Sequence, residues 1–251
     1  MSTKISALII TLNEAKNIRD LIKNLDFADE IIIVDSYSTD DTLAILEEFS
    51  HVKVHQHTFT DFSTQRNTAL KYASHHWVLF IDADERISEN LKNEILSTVR
   101  LNKTKQGYYF KRKFYFLNKP VYFSGLRTDK NLRLFKKEGA KYRGLVHEKL
   151  NITHTGTFRN YLTHYSYSSY EHFRDKVIYY NKLKAIEKIQ KGVKPNYFMA
   201  AFHPIYTFLN RYFFRLGILD GKKGYIISKI YAEGVKERYK EMERIYKKNQ
   251  K

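Results

Sequence analysis

Trp77-Val78-Leu79-Phe80-Ile81-Asp82-Ala83-Asp84-Glu85 decides the fold. An unbroken apolar run without helical spacing reads as a strand buried on both faces, and such strands belong to parallel sheets covered by helices. This run ends on carboxylates. Upstream, Glu30 to Val34 is a second such strand ending at Asp35, and Ile5 to Ile10 is a third, followed by Thr11-Leu12-Asn13-Glu14. Val52 to His55 reads as a short further strand. Between the strands lie a helix from about Glu14 with Ile18, Leu21, Ile22 and Leu25 on one face, a helix capped by Thr39 and bearing Leu43, Ile45, Leu46 and Phe49, and a helix over Ser63 to Ala73. The order β-α-β-α-β-α-β predicts an α/β, Rossmann-like, mostly parallel sheet flanked by helices. Ligands of such sheets bind beyond the carboxyl ends of the strands, and Thr11, Asn13, Asp35, Asp82 and Asp84 all fall on that edge.

Further along, Ser88 is placed to cap a helix reaching Val99. From Gly107 to about His147, residues Tyr108, Phe110, Phe114, Phe116, Val121 and Phe123 suggest strands, with Asn118-Lys119-Pro120 as a turn. After Ser169 the chain reads as helical, punctuated by Pro195 and Pro204. The expected division is an α/β domain over 1–165, in halves 1–100 and 101–165, and a helical, basic and aromatic C-terminal extension over 166–251.

Composition narrows the chemistry. The absence of cysteine among 251 residues excludes disulfides, iron–sulfur clusters and thiolate catalysis. A hydrophobic fraction of 43% argues for a folded core rather than disorder. The apolar run at Ile5 to Leu12 is broken at once by Asn13 and Glu14, and no stretch approaches the length of a membrane span, so the expectation is a cytoplasmic protein. The formal charge of +17 draws polyanions: nucleic acid, anionic lipid or phosphorylated glycan.

Four segments carry candidate chemistry. Asp82 and Asp84, one residue apart at a strand end, can leave the sheet side by side and hold a hard divalent cation, which binds a diphosphate; the alternative is an ordinary acidic turn. Asp35, in Val34-Asp35-Ser36-Tyr37-Ser38-Thr39-Asp40-Asp41-Thr42, can accept hydrogen bonds from a nucleoside, with Asp40 and Asp41 equally readable as an acidic helix start. Asn13 can be a helix cap. Arg66, in Phe62-Ser63-Thr64-Gln65-Arg66-Asn67, can pair with phosphate or lie on a solvated helix face.

As an ordered set these segments resemble the family 2 glycosyltransferases, which share the GT-A fold; the match is Thr11 to Glu14, Val34 to Thr42, Gln65 to Leu70 and Leu79 to Glu85. The resemblance implies that 1–100 is the nucleotide-sugar-binding half of a catalytic domain and 101–165 its acceptor half. It implies that Thr11, Asn13, Glu14 and Ser38 line the nucleotide pocket beside Ala83, that Asp35 holds the base or ribose, and that Arg66 lies near the nucleotide. It further implies that Asp82 approaches ribose or metal, that Asp84 ligates Mg²⁺ or Mn²⁺, and that the donor is a UDP-sugar. Arg133-Leu134-Phe135, Gly144-Leu145-Val146-His147-Glu148, His164-Tyr165-Ser166 and Gly217 to Gly221 are similar to the lipopolysaccharide core β-glucosyltransferase branch. That likeness implies glucose transfer to a lipopolysaccharide core or another lipid-linked glycan. Inverting transfer needs a base for the acceptor hydroxyl. Glu148 is the candidate, with His147 contacting metal, phosphate or acceptor; the alternative is that both merely fix a loop. Arg127, Arg133 and Arg143 can face a phosphorylated acceptor or be structural.

The aromatic and basic stretch Tyr197 to Tyr231 suits the headgroup layer of an anionic membrane, on the inner face of the cell membrane, or packs on the catalytic domain. The competing function is nucleic-acid binding by the basic aromatic C-terminal half. It leaves the acidic strand ends unexplained, so no nucleic acid is expected as a partner.

Overall fold

The computed structural model describes residues 3–101, 105–117, 119–126, 129–144, 149–167 and 169–250. Two compact units emerge: Met1–Arg112 with Lys130–His164, and Lys113–Asp129 with Tyr165–Lys251.

The first unit is built on β1 (Ile5–Thr11), α1 (Ala15–Asn24), β2 (Glu30–Asp35), α2 (Thr42–Glu47), β3 (Val52–Gln56), α3 (Phe62–Tyr72) and β4 (Trp77–Phe80). It continues with β5 (Glu85–Ile87), α4 (Glu89–Arg100) and the start of β6 (Gly107–Phe116). β7 (Lys119–Val121) belongs to the second unit. The first unit resumes with β8 (Lys130–Lys136), β9 (Tyr142–Arg143), β10 (Lys149–Leu150) and most of β11 (Thr155–Tyr167). The main sheet runs β3-β2-β1-β4-β8-β6-β11-β5, while β9 and β10 pair separately.

This is the expected GT-A-like arrangement, a mixed sheet flanked by helices. Pairs β3/β2, β2/β1 and β1/β4 are parallel, because helices carry the chain back between those strands. Beyond β4 the pairs β4/β8, β8/β6 and β5/β11 are antiparallel. The parallel character thus belongs to the strands that the alternating βα pattern predicted. Ile5, Leu8, Ile9, Ile32, Ile33, Val34 and Trp77 to Ile81 are buried, as two-sided coverage requires.

Several local expectations are corrected. Thr39 does not cap α2: Asp41 precedes that helix without a side-chain cap, and Asp40 accepts from the Thr42 amide at 3.0 Å. Asn13 does not cap α1 either. It takes a left-handed φ of 57° and its Oδ1 accepts from the Thr39 amide at 2.8 Å. Asp61 starts α3 by accepting from the Thr64 amide, so that helix begins earlier than its apolar pattern suggested. Ser88 does cap α4. Lys119 and Pro120, expected in a turn, lie in β7 against Tyr115 and Phe116.

In the second unit, Phe114, Phe116, Val121, Leu126, Phe173, Val177, Ile227 and Ile230 form a separate core. Around it lie α5 (Tyr170–Gln190), α6 (Tyr197–Leu209) and α7 (Lys222–Lys248). A π-turn over Asn210–Phe214 and a 3₁₀ turn over Gly217–Asp220 join α6 to α7. Among the described residues no helix is long and apolar enough to cross a membrane.

Candidate active site

The register of β1 against β2 sets Thr11 opposite Asp35 at the carboxyl edge. Thr11 Oγ1 donates to Asp35 Oδ1 at 3.0 Å, and the Ser38 amide donates to Asp35 Oδ2 at 2.8 Å. Ser38 Oγ donates to the same carboxylate and accepts from the Asn13 amide at 2.8 Å. The Glu14 amide donates to Thr42 Oγ1 and the Ala15 amide to Asp40, whose carboxyl is kept below its usual pKa, against the opposing cost of burial, by bonds from Thr42 and from backbone amides. The structure therefore joins Thr11, Asn13, Glu14, Asp35 and Ser38 into one stitched pair of strand ends. Tyr37, at φ 61°, holds the left-handed region that a bulky side chain rarely adopts, at the tip of this seam. That backbone is affordable because the bonds on either side fix it.

The second group forms at the end of β4. Arg66 lies on the inward face of α3, not on a solvated one: its guanidinium sits 4.4 Å from the Phe80 ring centroid and donates to Asp82 Oδ1 at 3.0 Å. Arg133 of β8 holds both Asp82, through a very close contact to Oδ2, and Glu85 Oε1, at 2.6 Å. Arg112 stands 3.6 Å from Glu85, whose other oxygen accepts from the Asp82 amide at 3.0 Å. Burial opposes ionisation of Asp82, but Arg133 and Arg66 outweigh it and hold this carboxyl well below the usual range. Burial likewise disfavours charge on Arg133, and the two carboxylates more than reverse that.

Asp82 and Asp84 do not leave the sheet side by side. Residues 83 and 84 form a turn, so their carboxylates part. Asp82 goes to the arginines, whereas Asp84 Oδ2 lies 3.1 Å from Nε2 of His164. The antiparallel register that sets His164 opposite Glu85 brings that imidazole there from β11. Ala83, buried between the two, accepts at its carbonyl oxygen from Arg86 Nη1 at 2.8 Å. His147, Glu148 and Arg127 lie outside the described residues. Among the described residues no group of three or more His, Asp or Glu is gathered as a ready cage for a metal. The pair Asp84–His164 nonetheless offers one carboxylate oxygen and one imidazole nitrogen, a donor set that Mn²⁺ or Mg²⁺ accepts when a diphosphate and water supply the rest.

Sequence reasoning assigned no role to Glu85 or His164 and left Arg133 open. Arg133 had a signal: it alternates with Leu132 and Leu134 in an apolar strand, and a charge placed there must find an opposite charge inside. His164 stood in the segment His164-Tyr165-Ser166 that carries part of the resemblance, but its role was not readable, because its place depends on a strand pairing 79 residues back, between His164 and Glu85. A cavity of about 470 Å³ lies at α2 and β3, lined by Leu43, Leu46, Phe49, Val54 and Gln56 among others. It contains none of the residues above.

A seam of polar groups and an acidic turn at the carboxyl edge of a mixed α/β sheet fit a transferase of GT-A type. The chain belongs to glycosyl transferase family 2, whose family model matches residues 6–164. It is 31% identical over 248 residues to an uncharacterized glycosyltransferase of Rickettsia felis, covering 91% of this chain and 86% of that one. It is 30% identical over 223 residues to the lipopolysaccharide core biosynthesis glycosyltransferase LpsC of Rhizobium meliloti, covering 83% and 80%. Its fold is similar to that of the mannosyltransferase PcManGT from Pyrobaculum calidifontis, solved in complex with GDP-Man and Mn²⁺, with a TM-score of 0.59, 13% identity, and 95% and 86% of the two chains covered.

Proposed function

We propose that the chain is an inverting glycosyltransferase that moves glucose from a UDP-sugar to a hydroxyl of the lipopolysaccharide core or another lipid-linked glycan. The observation that carries this reading is the meeting of Asp84 with His164 at the carboxyl edge that also holds Thr11, Asn13, Asp35 and Ser38. The similarity to LpsC supports the acceptor class.

In this reading Asp35, itself fully buried, holds Thr11 and Ser38 in place beside the nucleoside, and the Asn13–Ser38 seam fixes their orientation. Asp84 and His164 hold a divalent cation, which when bound neutralises charge on the departing diphosphate. Arg66 and Arg133 keep Asp82 ionised and immobile beside that pair, so the turn carrying Asp84 has one conformation. Glu148 takes the proton from the attacking acceptor hydroxyl.

The test is hydrolysis of a panel of nucleotide sugars by the purified chain, with and without Mn²⁺. One UDP-sugar should be preferred, with turnover lost on adding EDTA, in Asp84→Ala and in His164→Ala. Turnover indifferent to all three would reject the cation at this pair; preference for a GDP-sugar, the donor bound in PcManGT, would reject the uridine assignment. Glu148→Gln should keep donor binding while transfer falls about 10²-fold or more, because an amide cannot accept the proton.

A further inference from the structure

We infer that the outward face of α6 and the turns after it form a docking surface for an anionic lipid bilayer, lying in the headgroup layer rather than crossing it. α6 has two faces. One is turned to α7: His203 Nδ1 stands 3.0 Å from the Tyr239 hydroxyl, and the Phe208 and Tyr225 rings are 5.7 Å apart. The other carries Phe198, Phe202, Ile205 and Leu209 at spacings of three and four, a single helical stripe, and Phe213 and Phe214 follow in the turn after it. It is left bare. Phe198 is 61% exposed, Phe202 54%, Ile205 58%, and Phe214 beyond the helix 78%. No side chain of α6 is buried, although its sequence is the most apolar of the helices. An apolar stripe of this extent on one face marks an interaction surface.

Charge selects the occupant. From Lys188 to Leu219 the chain has no Asp or Glu, whereas Lys188, Lys191, Lys194, Arg211 and Arg215 lie in that interval. The next acid, Asp220, is engaged by the amides of Tyr122 at 3.1 Å and Phe123 at 2.9 Å. Lys194, Arg215 and Lys222, which flank α6 in sequence on either side, are exposed. Bare aromatics rimmed by cations and free of carboxylates match the interface of an anionic leaflet, where rings enter the acyl boundary and cations meet phosphates. Among the described residues no helix, α6 included, is long and apolar enough to span. The inference deepens the proposed function only in its purpose, since a lipid-linked acceptor would be met at that surface.

Flotation of the full chain with vesicles of phosphatidylcholine alone, or of phosphatidylcholine with phosphatidylglycerol, tests it. We expect binding to the phosphatidylglycerol vesicles, weakened by salt, and little to phosphatidylcholine alone. Phe202→Glu with Phe214→Glu should lower the bound-to-free ratio about 10-fold or more, since each ring loses its apolar burial. Lys194→Glu with Lys222→Glu should remove the preference for phosphatidylglycerol, and it provides the test if the first pair fails to fold. Equal binding to both vesicles, or unchanged binding in a folded aromatic variant, would overturn the inference. So would a concentration-dependent dimer that the aromatic variant dissolves while vesicles stay unbound: the stripe would then be covered by a second copy. Donor hydrolysis in water needs no vesicle, so failure here and failure of the glycosyl-transfer reading are read separately.

Discussion

Replacing Arg133 by Met removes a cation that touches both Asp82 and Glu85. Its guanidinium donates to each carboxylate, at 2.6 Å to Glu85, and its side chain is only 4% exposed. The methionine keeps the volume but leaves two carboxylates close together with Arg66 and Arg112 at their outer sides. Breaking a buried ion pair from one side costs about 3–5 kcal/mol, because the abandoned charge keeps its desolvation penalty. Against a total stability of about 5–15 kcal/mol that loss is severe. The pH dependence separates this cause from poor packing. In the parent, Asp82 has a folded pKa below its unfolded value, so its contribution is full at neutral pH and fades as pH falls through the unfolded carboxylate range. In Arg133→Met, repulsion and burial raise the pKa of one carboxyl above its unfolded value. Its penalty then acts at neutral pH and is relieved as pH falls. The variant should therefore gain stability from pH 7 to about 5, where the parent does not. Urea unfolding followed by fluorescence of Trp77 is the assay: it is the sole tryptophan, it is buried on β4, and it reports the first unit alone. A loss under about 1 kcal/mol, or one independent of pH, would refute the argument that this arginine neutralises the buried Glu85 and the partly exposed Asp82 together.

Other consequences follow from separate features. Glu30, at the opposite end of β2, accepts from Ser6, Ser74 and Lys53, and these bonds outweigh burial to bring its pKa to about 2. Its share of stability, about 3 kcal/mol at neutral pH by linkage, should vanish as pH falls from about 4.5 to 2 and be missing from Glu30→Gln in acid titration of unfolding. Gly224→Ala in α7 would place a Cβ 1.8 Å from the Gly217 carbonyl oxygen, and backbone cannot yield as a side chain can. We expect a loss of about 3 kcal/mol or more in chemical denaturation of the second unit. Asp35→Asn should weaken donor binding about 10-fold in calorimetry, because the amide disrupts the bonds from Ser38 and Thr11 and places an N–H where an acceptor stood.

The parallel half of the fold was legible because its information is local. Apolar runs ending in polar residues, with helical stripes between them, repeat four times before Glu85, and each strand's burial follows from its own composition. The antiparallel half was not, since Phe114 and Phe116 look like any strand aromatics, yet they enter a different core from Tyr108 and Phe110 on the same strand. The long strand β11 went unread because its alternation, Phe158, Asn160, Leu162, His164, mixes apolar and polar residues on the buried side. Capping was misjudged at Thr39 and Asn13 for a related reason. Helix signals are local, whereas the bond between Asn13 and Thr39 joins two loops 26 residues apart in sequence.

The same distinction governs the acidic turn. Read along the chain, Asp82 and Asp84 are equivalent members of one motif; in the folded protein they answer to different partners. Asp82 is met by arginines from α3 and β8, and two guanidinium groups on one carboxylate leave it a poor ligand for a cation, which would have to displace them or share their charge. Asp84 is met by His164, whose imidazole nitrogen can itself serve as a metal donor. In the proposed function the spacing of one residue then serves a purpose other than chelation by both acids. It anchors the turn through its first carboxylate so that the second is held, already oriented, at the rim of the sheet. If that is the division of labour, Asp82→Asn should reduce metal affinity only through loosened positioning, by less than Asp84→Asn does, and should cost more in folding stability than Asp84→Asn. Calorimetry with Mn²⁺ and urea unfolding of the same two variants would read the two effects independently, and equal losses of Mn²⁺ affinity would return both carboxylates to the cation.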